Sequence, residues 1–236
     1  MVEHQSIIGT TVEGVSYAGK STTLRQLKAK SNVCQEKIII VPEYSEIGDL
    51  SKIKRDSIVN TQLAVEIILG LEKRRTDYLA SELAHSPKAV VLWDRSPISC
   101  LAFEYAASKI NNIHILHGLA DRFQLEYENG NILVPRKFFF LRVSMDKIRE
   151  REFSMLVNGH RKNPEFLRDS RVMIAFNQVF QLYADTCFQG TSIVIDSIDD
   201  NIDLVARNIF NFAASDTASQ MPAINYPKFV QLLAYV

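Results

Sequence analysis

The chain has 236 residues, 47% apolar and 23% charged, with 27 Lys plus Arg set against 27 Asp plus Glu. That length suits one large α/β domain or two small ones, and the charge balance excludes a global draw toward nucleic acid or an anionic membrane, leaving anion binding to local clusters. Cys34, Cys100 and Cys187 are scattered without CxxC spacing, no basic segment leads an apolar core at the N-terminus, and no uncharged apolar run reaches membrane-spanning length, so the expectation is a soluble, cytoplasmic protein with reduced thiols.

Taken in order, the chain opens with a short β-favouring run, Ile7, Ile8 and Val12 with Thr10 and Thr11. It leads into Gly14-Val15-Ser16-Tyr17-Ala18-Gly19-Lys20-Ser21, which fits the phosphate-binding pattern G-x-x-x-x-G-K-[ST]. Thr22 to Lys30 then carries good helix formers, with Leu24 and Leu27 on one side. Strand, loop and helix in that order are the context this loop requires. Gly14 and Gly19 permit turns that a Cβ would obstruct. The N–H groups of Gly19 to Thr22 converge on a phosphate at the positive end of the helix. Lys20 would reach the outer phosphates, and the Ser21 hydroxyl would ligate Mg²⁺. The stretch predicts a nucleotide site.

Lys37 to Val41 is a continuous apolar run that suits a strand buried on both faces of a parallel sheet. It ends in Pro42-Glu43-Tyr44-Ser45-Glu46, followed by a loop through Gly48 and Asp49. From about Asp56 to His85 the pattern is helical, with Leu63, Ile67, Ile68, Leu71, Leu79 and Leu83 as apolar positions; Gly70 and Glu72-Lys73-Arg74-Arg75 interrupt it. Lys88 to Trp93 is a third strand run closing on Asp94-Arg95-Ser96-Pro97. A strand ending on an Asp has the form of the second phosphate-loop element, whose carboxylate holds Mg²⁺.

Pro97 begins a helix to about Ala107, Ile113 to Tyr127 forms another, and Glu128-Asn129-Gly130-Asn131 is a turn. Phe138 to Val143 is the fourth strand, and Ser144 caps a helix from Met145 to about Leu156. That helix runs into a basic segment carrying Arg149, Arg151, His160, Arg161, Lys162, Arg168 and Arg171. A helix over roughly 164–187, the strand Ser192 to Asp196 and a helix over about 201–212 complete the pattern. A polar linker, 213–220, precedes an apolar segment, 229–236, that docks on the domain or on a partner. The boundaries expected are a main phosphate-loop domain over 1–214, with a lid over about 149–171, and a tail over 215–236.

Five buried strands alternating with helices imply a three-layer α/β/α fold around a five-stranded, doubly wound parallel sheet with right-handed crossovers. Ligands bind outside the carboxyl ends of such strands. The phosphate loop, Glu43, Asp94 with Arg95, and the loop after Asp196 all follow strands, so they share one rim. Glu43 is placed to take the proton of an acceptor hydroxyl, with Glu46 as the fallback. Asp94 would help place Mg²⁺, and the planar fork of Arg95 suits two oxygens of an acceptor or of the transferring group. Arginines of a mobile lid, foremost Arg149 and Arg151 and then Arg161, would neutralise the charge that phosphoryl transfer develops.

Val12-Glu13-Gly14 before the loop, Val41-Pro42-Glu43 and Asp94-Arg95-Ser96 resemble the nucleoside and nucleotide kinase group. The Glu-Gly lead-in and the Asp-Arg pair are closer to thymidylate kinases, and Pro-Glu with Arg-Ser to deoxynucleoside kinases; Val-Pro-Glu-Tyr also resembles nicotinamide riboside kinase-like ATPases. The resemblance spans about residues 6 to 212. It implies the P-loop NTPase fold, ATP and Mg²⁺ as cofactors, a small nucleoside or nucleotide acceptor, and often a homodimer. Residue by residue, it implies phosphate binding by Gly14, Ser16, Ala18, Gly19, Lys20, Ser21 and Thr22, a basic role for Glu43, and acceptor and metal placement by Asp94 and Arg95. Gln62 resembles the kinase glutamine that reads a base edge, and Arg74 falls where thymidylate kinases have an acceptor-phosphate arginine; on their residues alone both equally read as helix surface. The chain departs from the group in a longer lid, in Tyr17-Ala18 within the loop, and in the tail. A nucleotide-dependent switch or regulatory ATPase whose tail contacts a partner is the competing expectation.

Overall fold

The computed structural model describes residues 8–34, 37–53, 57–110, 114–158, 167, 169–196, 201–215 and 222–235. Its strands are β1 (Thr10–Glu13), β2 (Ile38–Val41), β3 (Val90–Asp94), β4 (Lys137–Arg142) and β5 (Ser192–Asp196). They form one sheet in the order β2-β3-β1-β4-β5, every neighbouring pair parallel. β1 is therefore central, and the loop leaving it is flanked by the ends of β3 and β4.

The helices are α1 (Lys20–Cys34), α2 (Tyr44–Ile47), α3 (Ile58–His85), α4 (Pro97–Ser108), α5 (Leu116–Glu128), α6 (Met145–Val157), α7 (Ser170–Cys187), α8 (Ile202–Ala214) and α9 (Tyr226–Leu232). The sequence marks most of their starts. Pro97 sits in the first turn of α4, and the side chains of Ser57, Ser144, Asp169, Asn201 and Asn225 accept from N–H groups in the first turns of α3, α6, α7, α8 and α9. The step from β1 out to β2 runs opposite to the steps β3 to β4 and β4 to β5. With right-handed crossovers, that reversal puts α1 on one face of the sheet and α4, α5 and α7 on the other. Packing follows suit, α1 against α8 and α4 against α5 and α7.

β4 shows why the core holds the layers together. Phe138 and Phe140 meet Phe180 of α7 at ring-centroid distances of 6.5 and 5.5 Å, whereas Phe139 meets Phe212 of α8 at 6.1 Å. Alternate side chains thus enter opposite layers, which is why the run is apolar at every position.

The loop through Gly48 and Asp49 lies where expected, between α2 and a 3₁₀ turn at Leu50–Lys52 whose cap is the Asp49 side chain. A local expectation on α3 is corrected. Leu63 is 53% exposed rather than in the core. The buried face of α3 runs through Ala64, Ile68, Leu71, Glu72, Arg75 and Leu79, and Leu63 lies off that stripe. The apolar tail packs on the domain itself: Tyr226 lies 5.7 Å from Phe123 of α5, and Phe229 4.9 Å from Tyr183 of α7, ring to ring. Among the described residues no helix is long and apolar enough to cross a membrane.

Candidate active site

The turn between β1 and α1 depends on backbone freedom at two glycines. Gly14 has φ 151°, and a Cβ there would lie 2.6 Å from the Leu141 carbonyl oxygen of β4; Gly19 has φ 95°. Tyr17, at φ 62°, occupies the left-handed region without that freedom. Ala18 is buried, Ser16 half-buried and Thr22 exposed. The first-turn N–H groups of α1 have no acceptor within the helix and face the loop.

Lys20 is only 5% exposed, and its Nζ donates to the carbonyls of Gly14 and Val15 at 2.9 and 3.0 Å. Burial, then the charge of Arg95, pulls its pKa down to about 8 against the opposing pull of Asp94 and Glu43. Ser21 Oγ donates to Asp94 Oδ2 at 2.7 Å, across 73 residues of sequence. The other oxygen, Asp94 Oδ1, is buried without a hydrogen-bond partner. An orphaned carboxylate oxygen beside a hydroxyl is a fitting pair of donors for a hard cation such as Mg²⁺, which takes few protein oxygens and keeps several waters.

Glu43 stands just past β2, and Arg95 just past β3. Arg95 Nε donates to Glu43 Oε1 at 2.5 Å, and Arg95 Nη1 reaches the Gly14 carbonyl at 3.5 Å and Ser99 Oγ at 3.4 Å. Burial pushes the Glu43 carboxyl up, but the charges of Arg95 and Lys20 outweigh this and hold it below the ordinary carboxylate value. Arg95 has φ 71°, a second non-glycine residue in the left-handed region. Glu13, completely buried at the end of β1, accepts from Thr11, Ser96 and Ser99 hydroxyls at 3.0, 2.7 and 2.6 Å. It braces the start of α4 against the loop, and burial raises its pKa despite those bonds.

Part of this cluster opens onto a cavity of about 470 Å³, whose lining does not include Lys20, Ser21, Asp94 or Glu13. Ser16, Glu43, Arg95 and Ser99 line it together with Tyr44, Leu50, Ser51, Ile53, Ile68 and Leu71. Cys100, Phe103 and Glu104 of α4, with Leu167, Met173 and Phe176, complete the wall. Burial raises the Cys100 thiol to about 12, so it serves as an apolar wall group rather than a nucleophile.

The remaining residues named from sequence fall in different places. Arg151 of α6 comes to the loop, its Nη1 donating to the carbonyls of Tyr17 and Ala18 at 3.1 and 3.3 Å. Arg149 of the same helix has a 69% exposed side chain, 3.9 Å from Asp146. Gln62 is exposed on α3 and does not line the cavity, and Arg74 is also exposed, its Nη1 3.4 Å from the Ile47 carbonyl. Glu46 is exposed as well. Arg161, with His160, Lys162 and Arg168, lies outside the described residues. Sequence reasoning missed Glu72 and Arg75, a fully buried ion pair at 3.0 Å beneath the rim. The signal was present: both fall on the apolar stripe of α3, where charge is out of place.

No protein-family model and no curated protein matches the sequence. Among solved structures the chain is similar to thymidylate kinase from Candida albicans, at 18% identity and a TM-score of 0.60, over 87% of this chain and 90% of that one. At that identity the likeness speaks to the fold. The chain has the three-layer α/β/α fold, built on a five-stranded parallel sheet, that its sequence predicts, and shares it with that structure.

Proposed function

We propose that the protein is an ATP- and Mg²⁺-dependent small-molecule kinase that phosphorylates a nucleoside or a nucleoside monophosphate. The observation that carries this reading is the shared cavity: Ser16 of the phosphate loop and the Glu43–Arg95 pair line one pocket of about 470 Å³, a size suited to a small ligand. A pure nucleotide switch has no use for an ionised carboxylate facing its phosphate loop across a largely apolar pocket.

In this reading the loop N–H groups and Lys20 hold the outer phosphates of ATP, and Glu43, kept ionised by Arg95, accepts the proton of the acceptor hydroxyl. Arg95 offers its guanidinium to the transferring group or to an acceptor oxygen, and Arg151 braces the loop from α6, with Arg149 and Arg161 as further lid residues. Ser21 and Asp94 would hold Mg²⁺, which supplies neutralisation of phosphate charge when bound. The apolar walls exclude water and so suppress hydrolysis.

The test is incubation with ATP, Mg²⁺ and a panel of nucleosides and nucleoside monophosphates, following ADP. Release that depends on one class of acceptor is the expected result. Release indifferent to every acceptor overturns the reading in favour of a regulatory ATPase. A second expectation follows from Lys20. Its charge, present below about pH 8 in the free protein, favours an anion, so the Kd for a fluorescent ATP analogue should rise by up to tenfold per pH unit above that point. A Kd flat from pH 7 to 9.5 counts against Lys20 as the phosphate ligand.

A further inference from the structure

Arg75 takes no part in the chemistry just described, yet its side chain has no exposed surface and spends its donors on the rim. Nε donates to the Pro42 carbonyl at 2.9 Å, and Nη2 donates to the carbonyls of Asp94 at 3.2 Å and Arg95 at 2.5 Å. Nη1 pairs with Glu72 at 3.0 Å. The guanidinium carbon lies 4.3 Å from the Tyr44 ring centroid and 5.2 Å from that of Trp93.

The acceptors are informative. The Pro42 carbonyl belongs to the peptide bond that delivers Glu43, and the other two carbonyls bracket Arg95. Arg95 is held at φ 71°, a conformation that costs a side-chain-bearing residue energy and persists only when its surroundings impose it. One planar group with five donors can impose it while fixing the neighbouring strand end; a lysine ammonium, with three donors on one atom, cannot satisfy the four acceptors that Arg75 bonds. Stability alone does not account for the arrangement, because buried ion pairs are often replaceable by apolar residues without loss.

We infer that Arg75 is a positioning residue, a buried clamp that ties the end of β2 to the end of β3, holds Arg95 in its left-handed turn and thereby keeps the Glu43–Arg95 pair aimed into the pocket. The inference rests on the kinase reading for its functional consequence, but its structural content is independent of it.

Two full-length variants test it. Arg75→Lys keeps the charge, and the double variant Glu72→Leu/Arg75→Met removes the whole buried pair, a change such sites often tolerate without unfolding. The expected result in the folded variants is a kcat lower by about 100-fold, the order of loss that a 1 Å misplacement brings. The ATP-analogue Kd should stay within about threefold, because the phosphate loop is untouched. A crystal structure of the double variant should show Arg95 out of the left-handed region and its contact with Glu43 lost. A kcat within about threefold of wild type in a folded variant overturns the clamp, because loss from plain misplacement runs to about 100-fold. So does an Arg95 backbone that has not moved. If wild type itself shows no acceptor-dependent turnover, the kinase reading fails, and the crystal structure of the double variant still decides the clamp.

Discussion

Lys20→Met is expected to abolish phosphoryl transfer without lowering the melting temperature. Removing one donor aimed at charge that develops in a transition state costs about 10²–10³ in rate, and here the ground-state contact with the phosphates is lost too. Most substitutions of a buried residue destabilise, so the second half of the expectation is the sharper one. Burial and the nearby Arg95 charge hold the Lys20 pKa at about 8, against about 10.4 for an unfolded chain. A folded value below the unfolded one means that the charged form opposes folding: the cost is fully present below pH 8 and is relieved as pH rises from there through the unfolded value. The gap corresponds to roughly 3 kcal/mol. Methionine keeps the stem and removes the charge, which offsets the loss of the bonds to the Gly14 and Val15 carbonyls, together about 3 kcal/mol at the lower end for a charged donor. ADP release and thermal melts at pH 7 check both halves. Turnover within tenfold of wild type refutes the site, and a fall of several degrees refutes the electrostatic account.

Glu43→Gln should lower kcat by about 100-fold or more, within the range of about 10²–10⁴ that a positioned general base contributes. The substitution is a fair test of chemistry because the amide oxygen can still accept from Arg95 Nε, which lies 2.5 Å from Glu43 Oε1 in the wild type. The pH dependence adds a signature. Because Arg95 and Lys20 hold the folded carboxyl below its ordinary value, the acid limb of the wild-type rate should fall below the usual glutamate pKa of about 4.3. The same depression means that ionised Glu43 contributes stability above the unfolded pKa and loses it as pH falls through the folded one. The wild type should therefore exceed Glu43→Gln in melting temperature near neutrality, and the difference should vanish in strong acid. A near-wild-type rate moves the base to Asp94 or Glu46. Of these Asp94 is the better placed, since it contacts Ser21 of the loop while Glu46 is exposed to solvent.

The clamp places a limit on both expectations. Glu43 and Arg95 extend from two strand ends that no covalent link holds in register, and Arg75 bonds to the backbone of each. Rates measured in either variant therefore report chemistry only while that backbone frame stays intact.

Legibility varied with the range of the cause. The phosphate loop, the five strands and most helix starts could be read because each is set by neighbours in sequence: a glycine where φ must be positive, an apolar run where both faces are covered, a Ser, Asp or Asn before a first turn. The shared rim could be read as well, since parallel strands with right-handed crossovers leave the loops after them on one edge. On α3 the sequence is less informative: the kinase resemblance singles out Gln62 and Arg74, but a helix turns 100° per residue, and the phase of this one leaves both exposed while burying Ile68, Leu71, Glu72 and Arg75.

The sequence by itself therefore determined the layer architecture, the glycine-bearing loop after β1 and the set of side chains able to gather at its edge, because these follow from local geometry and from periodicity. Only the tertiary structure decided that Arg95 pairs with Glu43, that Ser21 meets Asp94, that Arg75 and not Arg74 faces inward, and that α9 closes over α5 and α7. Those contacts join segments tens of residues apart. Their partners are fixed by helix phase and strand order, which emerge only when the whole core packs.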